Sequence, residues 1–215
     1  MYSENVLILG SKAPYKIPNI SFKEIFSSNG SAELANLYNK NYRAKKAIHT
    51  CVIGARSFLQ LKDINKRVIE SQPDNLIVRD NNDVSEDLSK LFTNEIKIYK
   101  FTKREQFLFQ SKFFRQGLLS LMRAEYNYES FTFKRLKHIF NGIFKYGFFG
   151  VSSGFFALLN AANKYPNSNI IISGLSFSGG SHYYETGKMT FNRGNIDKIL
   201  MNNLLESIKK RIFIV

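Results

Sequence analysis

Cysteine is nearly absent from this sequence. Cys51 stands alone, so no intramolecular disulfide can form and no cysteine-based zinc site can be assembled. A single thiol fits a reducing compartment, and the cytoplasm is the expected location. Histidine is scarce as well: His49, His138 and His182 lie far apart with no paired acidic residue at ligand spacing, and no metal is expected. Neither a Walker phosphate loop nor a dinucleotide fingerprint occurs. Glu4 precedes the apolar run Val6–Leu9, and neither a basic start nor a cleavage site accompanies it, so residues 1–10 read as a first strand rather than a leader.

Acidic residues are outnumbered: 31 Lys and Arg face 17 Asp and Glu, a net charge of +14 that favours an anionic partner such as a phosphate, an acidic glycan or an anionic lipid headgroup. The basic residues are scattered, and no RNA-binding sheet motif, zinc finger or basic zipper is present, which speaks against nucleic acid. A long uninterrupted apolar run is also missing. Gly142–Ala162 has about the length a bilayer requires. Lys145, Gly147, Gly150, Gly154 and Ser152-Ser153 break it, so it predicts a buried turn followed by a core helix.

What remains suits one domain over residues 1–215, since 44% hydrophobic residues can fill a substantial core. Val6–Leu9 ending at Gly10, Ala47–Ile53 ending at Gly54, Asn75–Val78, Glu95–Tyr99, Ile170–Ile172 and Ile212–Val215 are predicted strands, and the first is a continuous apolar run of the kind buried on both faces. Ser21–Ile25 and Ala32–Tyr38 are predicted short helices around the turn Ser28-Asn29-Gly30. Asp197–Lys209 is a predicted amphipathic helix. The alternation implies a Rossmann-like α/β fold, a parallel sheet flanked by helices. Residues from about 103 to 146 are a predicted helical insert in which Phe107, Phe109, Phe113, Phe114, Phe131, Phe133 and Phe140 alternate with basic residues, read as helix core with a solvated basic face.

Small-residue turns follow several of the apolar segments: Gly10-Ser11, Asn29-Gly30-Ser31, and Gly150-Val151-Ser152-Ser153-Gly154. In an open parallel sheet the ligand crevice lies at the carboxyl ends of the strands, where such turns let backbone amides approach a phosphate, above all at a helix N-terminus. Taken singly, each is also what an ordinary turn or helix cap requires.

The order of these turns, followed by Ile170-Ile-Ile-Ser-Gly-Leu-Ser-Phe177, Gly179-Gly-Ser-His-Tyr-Tyr184 and the Asp197 helix running into Arg211-Ile-Phe-Ile-Val215, resembles the bacterial sialyltransferase and Kdo-transferase group that uses CMP-activated sugars. The resemblance spans nearly the whole chain in short motifs. It implies a sialyltransferase-like variant of the GT-A fold and an inverting transferase that moves an acidic sugar, Kdo or sialic acid, from a CMP donor to a glycan or glycolipid acceptor such as lipopolysaccharide or capsule. No metal or other cofactor is implied, in keeping with the missing Asp-x-Asp element. Peripheral association with the anionic inner face of the inner membrane and a homo-oligomer are compatible with it. By the same resemblance, Ser11, Asn29 and Gly30 hold the nucleotide, Ser152, Ser153 and Gly154 grip the phosphate and the sugar carboxylate, and Tyr183 and Tyr184 help the phosphate leave.

The sequence departs from the family in two places. The first turn reads Gly10-Ser-Lys-Ala-Pro14, without the usual second glycine or asparagine. The histidine expected just before the last helix is absent from Phe191-Asn-Arg-Gly-Asn-Ile196, where Asn192 or Asn195 stands in its place, and an amide does not take up a proton as an imidazole does. Either another group is the base, or the chain is an inactive glycan- or nucleotide-binding relative. His182, on a Gly-Gly loop beside Tyr183, is the alternative base. Arg193 is a candidate clamp for the sugar carboxylate, because a guanidinium can give it two parallel bonds. His49, between Ile48 and Thr50, reads as a core histidine.

Overall fold

The computed structural model describes residues 4–12, 16–41, 46–79, 88–126, 150–175, 177 and 194–215, without the side chains of residues 56, 57, 125 and 126. Its strands are β1 (Asn5–Leu9), β2 (Glu24–Ser28), β3 (Ile48–Gly54), β4 (Asn75–Arg79), β5 (Lys97–Phe101), β6 (Asn169–Ser173) and β7 (Ile212–Ile214). The helices are α1 (Ala32–Asn41), α2 (Ala55–Gln60), α3 (Lys62–Ser71), α4 (Lys103–Ser111), α5 (Leu118–Tyr126), α6 (Ser153–Lys164), α7 (Gly194–Asn202) and α8 (Glu206–Lys209). Every strand pairing is parallel, in the order β5-β4-β3-β2-β1-β6-β7.

The continuous apolar runs have a simple cause. Alternate residues of each strand face opposite sides of the sheet, and helices cover both sides. Val6, Ile8, Phe26, Val52, Ile77, Ile170 and Ile172 pack with Phe155, Phe156, Leu158 and Leu159 of α6 and with Ile196 and Leu200 of α7. On the other face, Leu7, Leu9 and Ile25 meet Leu34, Ala35 and Tyr38 of α1. Cys51, Ile53, Leu76 and Val78 meet Phe58 of α2 and Ile64 and Val68 of α3 there. From β2 to β4 the chain travels one way along the sheet with its helices on one face. After β5 it returns past β1 to β6 with α6 and α7 on the other face, as expected when crossovers share one hand. The strand order reverses between β1 and β6, which makes their carboxyl ends the switch point of the fold.

Three expected boundaries are corrected. Ser21–Ile25 is no helix: β2 occupies Glu24–Ser28 and is buried along its length. Only four residues separate Phe22 from Ser27, too few for periodicity to distinguish strand from helix, and insertion between β1 and β3 decides the matter. β5 lies two residues later than Glu95–Tyr99, in register with β4 from Asn75–Lys97 onward. The helix expected over Asp197–Lys209 is broken after Asn202: Arg115 N donates to Asn203 O at 3.0 Å, Leu205 N donates to Phe113 O at 3.0 Å, and Phe114 bridges Leu204. Hydrogen bonds from the segment after α4 therefore replace the intrahelical ones. Of the insert, α4 and α5 are described. Phe113 and Phe114 are core residues, whereas Phe131, Phe133, Phe140 and His138 lie outside the described residues. Among the described residues no helix is long and apolar enough to cross a membrane, and the end of the Gly142–Ala162 stretch is a buried turn leading into α6.

Candidate functional site

The carboxyl ends of the strands bring the small-residue turns together. Gly10 N donates to Ser173 O and Lys12 N to Gly174 O, both at 2.8 Å, so the chain segments leaving β1 and β6 run side by side. A Cβ on Gly10 would lie 2.1 Å from the Gly174 carbonyl oxygen, an approach only glycine allows. Ser11 is buried in this junction. The next turn, Asn29–Ser31, is a 3-10 helix tied to β1 by the Ser31 hydroxyl, which donates to Leu9 O at 2.9 Å and accepts from Ser28 N at 2.9 Å. Asn29 adopts φ 49, a left-handed conformation that asparagine tolerates, with its Oδ1 3.4 Å from Gly54 N at the end of β3.

The third turn enters α6. Ser152 is its N-cap, with its hydroxyl accepting from Phe155 N at 3.2 Å. Asp197, buried in the first turn of α7, accepts from Ser152 N at 2.9 Å. Ser152 thus uses its amide and its hydroxyl to hold the turn, and with Phe155 N taken up by that hydroxyl the groups able to meet a ligand are the hydroxyl of half-buried Ser153 and the amides of Ser153 and Gly154. Gly154 is the contact between turns: a Cβ there would lie 2.3 Å from Leu175 Cδ2 and 3.4 Å from Ser28 Oγ. Gly10, Ser28–Gly30, Ser152–Gly154 and Ser173–Leu175 therefore share one edge of the sheet.

Sequence reasoning missed Arg79. It ends β4, is buried, and reaches the same turn: Nη2 donates to Val151 O at 3.0 Å, Nη1 lies 3.5 Å from Ser153 Oγ, and Nε donates to Gln106 Oε1 at 3.0 Å. Its guanidinium also lies over the Phe156 ring, 4.7 Å from the centroid. Gln110 completes the contact by accepting from Val151 N at 2.9 Å. Two sequence signals were available: an arginine directly after an apolar strand, and the i, i+4 pair Gln106 and Gln110 among phenylalanines. Asp197 was noticed only as the start of a helix.

Asn195 is exposed in the first turn of α7, two positions before Asp197. His182, Tyr183, Tyr184, Asn192 and Arg193 lie outside the described residues. His49 is a core histidine, with Nε2 2.8 Å from Ser27 Oγ and its pKa lowered by burial to about 4. Burial likewise raises the Cys51 thiol to about 12, so it is no nucleophile at neutral pH. Among the described residues no group of three or more His, Cys, Asp or Glu is placed to hold a metal ion. No family model matches the chain, and neither does any curated protein or solved structure.

Proposed function

We propose that this chain binds a CMP-activated acidic sugar, Kdo or sialic acid, at the carboxyl edge of its sheet and acts as an inverting transferase to a glycan or glycolipid acceptor. One observation carries the reading: glycine- and serine-rich turns from β1, β2, β6 and α6 meet at the switch point of a doubly wound parallel sheet. In this reading Ser11, Asn29 and Gly30 border the nucleoside. The Ser153 hydroxyl and the amides of Ser153 and Gly154 at the start of α6 receive the phosphate, whose charge grows as the glycosidic bond breaks. Ser152 keeps that turn in shape. Tyr183 and Tyr184 protonate or hydrogen-bond the leaving phosphate, and Arg193 clamps the sugar carboxylate. The acceptor hydroxyl has to lose a proton, and His182 is assigned that task. The net charge of +14 suits an anionic glycolipid acceptor at a membrane face.

A second reading keeps the binding and drops the transfer. It is favoured by the segment Phe191–Ile196, which offers Asn192 and Asn195 where the transferases carry a histidine. The two readings share a first experiment, calorimetric titration of CMP in chelator-containing buffer against the chain and Ser153→Ala. Micromolar binding that the substitution weakens about tenfold is the expected result. His182→Ala then separates them, since loss of transfer with CMP binding retained identifies the base. Absence of CMP binding removes both readings and turns the basic surface toward nucleic acid, where salt-sensitive binding indifferent to CMP is the positive result.

A further inference from the structure

We infer that Arg79 is a positioning residue that, with Gln106 and Gln110 of α4, fixes the conformation of the turn at residues 150–153 and thereby the direction in which Ser153 and the first amides of α6 face the ligand edge. The inference rests, for its functional consequence, on the donor reading above. Its structural content stands on the turn itself. Gly150 has φ +127, a conformation that residues with a side chain rarely adopt, and a Cβ there would lie 2.0 Å from Gln110 Oε1. A turn of that kind persists when its surroundings over-determine it. Here they do: the N–H of Val151 donates to Gln110, its carbonyl accepts from Arg79, and the next amide, Ser152 N, donates to Asp197. Each partner comes from a different remote element, and Gln110 Nε2 in turn donates to Gln106 O at 3.0 Å while Gln106 Nε2 donates to Phe101 O at 3.2 Å. The brace thus runs from the end of β5 through α4 and β4 to the cap of α6.

A filler role would not need this chemistry. Burying a guanidinium is costly, and an apolar side chain of similar volume often serves a core as well or better. The planar fork, which bonds Val151 O and Gln106 while lying on Phe156, holds a direction that an aliphatic chain cannot hold.

The test compares Arg79→Met and Arg79→Lys with the native chain by amide hydrogen exchange without ligand, by thermal unfolding, and by CMP titration. In Arg79→Met the expected result is about tenfold faster exchange confined to the amides of residues 151–155, with the strands unchanged, and about tenfold weaker CMP binding. Arg79→Lys restores little of either, because one ammonium cannot make both bonds. Native exchange rates at 151–155 in a folded Arg79→Met chain, or faster exchange spread evenly over the sheet, would overturn the inference. If Arg79→Met does not fold, Gln110→Met carries the same comparison, since it removes the acceptor of Val151 N and the bond to Gln106 O while leaving Arg79 in place. A native chain that does not bind CMP sinks the donor reading, and the exchange rates alone then decide the role of Arg79.

Discussion

With Nε2 2.8 Å from the Ser27 hydroxyl and its ring buried, His49 is held as a neutral imidazole, and desolvation outweighs the opposing pull of Asp74 on its pKa. The folded value is about 4 against an ordinary 6.5. Between those values the unfolded chain binds a proton that the folded chain refuses. The contribution of this group is therefore fully present above pH 6.5 and is lost as pH falls toward 4, amounting to about 3 kcal/mol. Urea unfolding of the native chain and of His49→Gln at pH 7, 5.5 and 4.5 measures it: the difference between the two chains should shift by roughly that amount across the window. A pH-independent difference would mean that His49 takes up its proton in the fold as readily as in the unfolded chain. This residue was legible in the sequence, since a lone histidine between Ile48 and Thr50 sits inside an apolar strand. Arg79 was not legible in the same way, because its partners at positions 106, 151 and 156 are joined to it only by the fold.

Where elements meet, two glycines differ in what opposes them. At Gly10 a new methyl would meet backbone, the Gly174 carbonyl at 2.1 Å and Leu175 N at 2.7 Å, so β1 and β6 would have to part. Gly10→Ala should cost about 3 kcal/mol of stability. At Gly154 the nearest atom is Leu175 Cδ2, the end of a flexible side chain, and alanine is the better helix former. Gly154→Ala should therefore leave stability within about 1 kcal/mol while pushing Leu175 aside and narrowing the gap to Ser28, at an expected cost of about tenfold in CMP affinity. Thermal unfolding and CMP titration of both variants check the contrast, and equal losses of stability would contradict it. The sequence patterns that exposed these turns worked because small residues cluster where backbones touch. At the start of α4 the structure shows both bonds of a capping box, Thr102 N to Glu105 Oε2 at 2.7 Å and Glu105 N to Thr102 Oγ1 at 3.2 Å. β2 and the break after Asn202 were hidden for the opposite reason: nothing local distinguishes them, and pairing with distant strands or with Phe113–Arg115 settles their form.

Across the whole molecule the two edges of the sheet do different work. Strand and helix alternation made a parallel sheet legible, but the strand order is set by long-range packing, and with it the edge that carries the turns. The opposite edge carries a buried polar cluster. Glu24, fully buried at the start of β2, accepts from Lys164 Nζ at 2.6 Å and from the Tyr165 hydroxyl at 2.5 Å, and also from the Thr50 hydroxyl, to which Asn75 Nδ2 donates at 2.9 Å. Burial, reinforced by the Glu24 carboxylate, raises the pKa of Tyr165 and keeps its hydroxyl a donor. This cluster joins β2, β3, β4 and the end of α6, far along the helix from its cap at Ser152. Glu24→Ala leaves the Thr50 and Tyr165 hydroxyls without their acceptor, at an expected cost of about 3 kcal/mol, toward the lower end for a buried pair because Lys164 is half-exposed and regains water. Because the lesion lies at the other end of α6, CMP affinity measured well below the melting transition should stay native, the reverse of what Ser153→Ala does. A loss of CMP binding in folded Glu24→Ala would show that α6 shifts as a rigid rod between the edges, and that the turn at its start is not held independently by Arg79, Gln110 and Asp197.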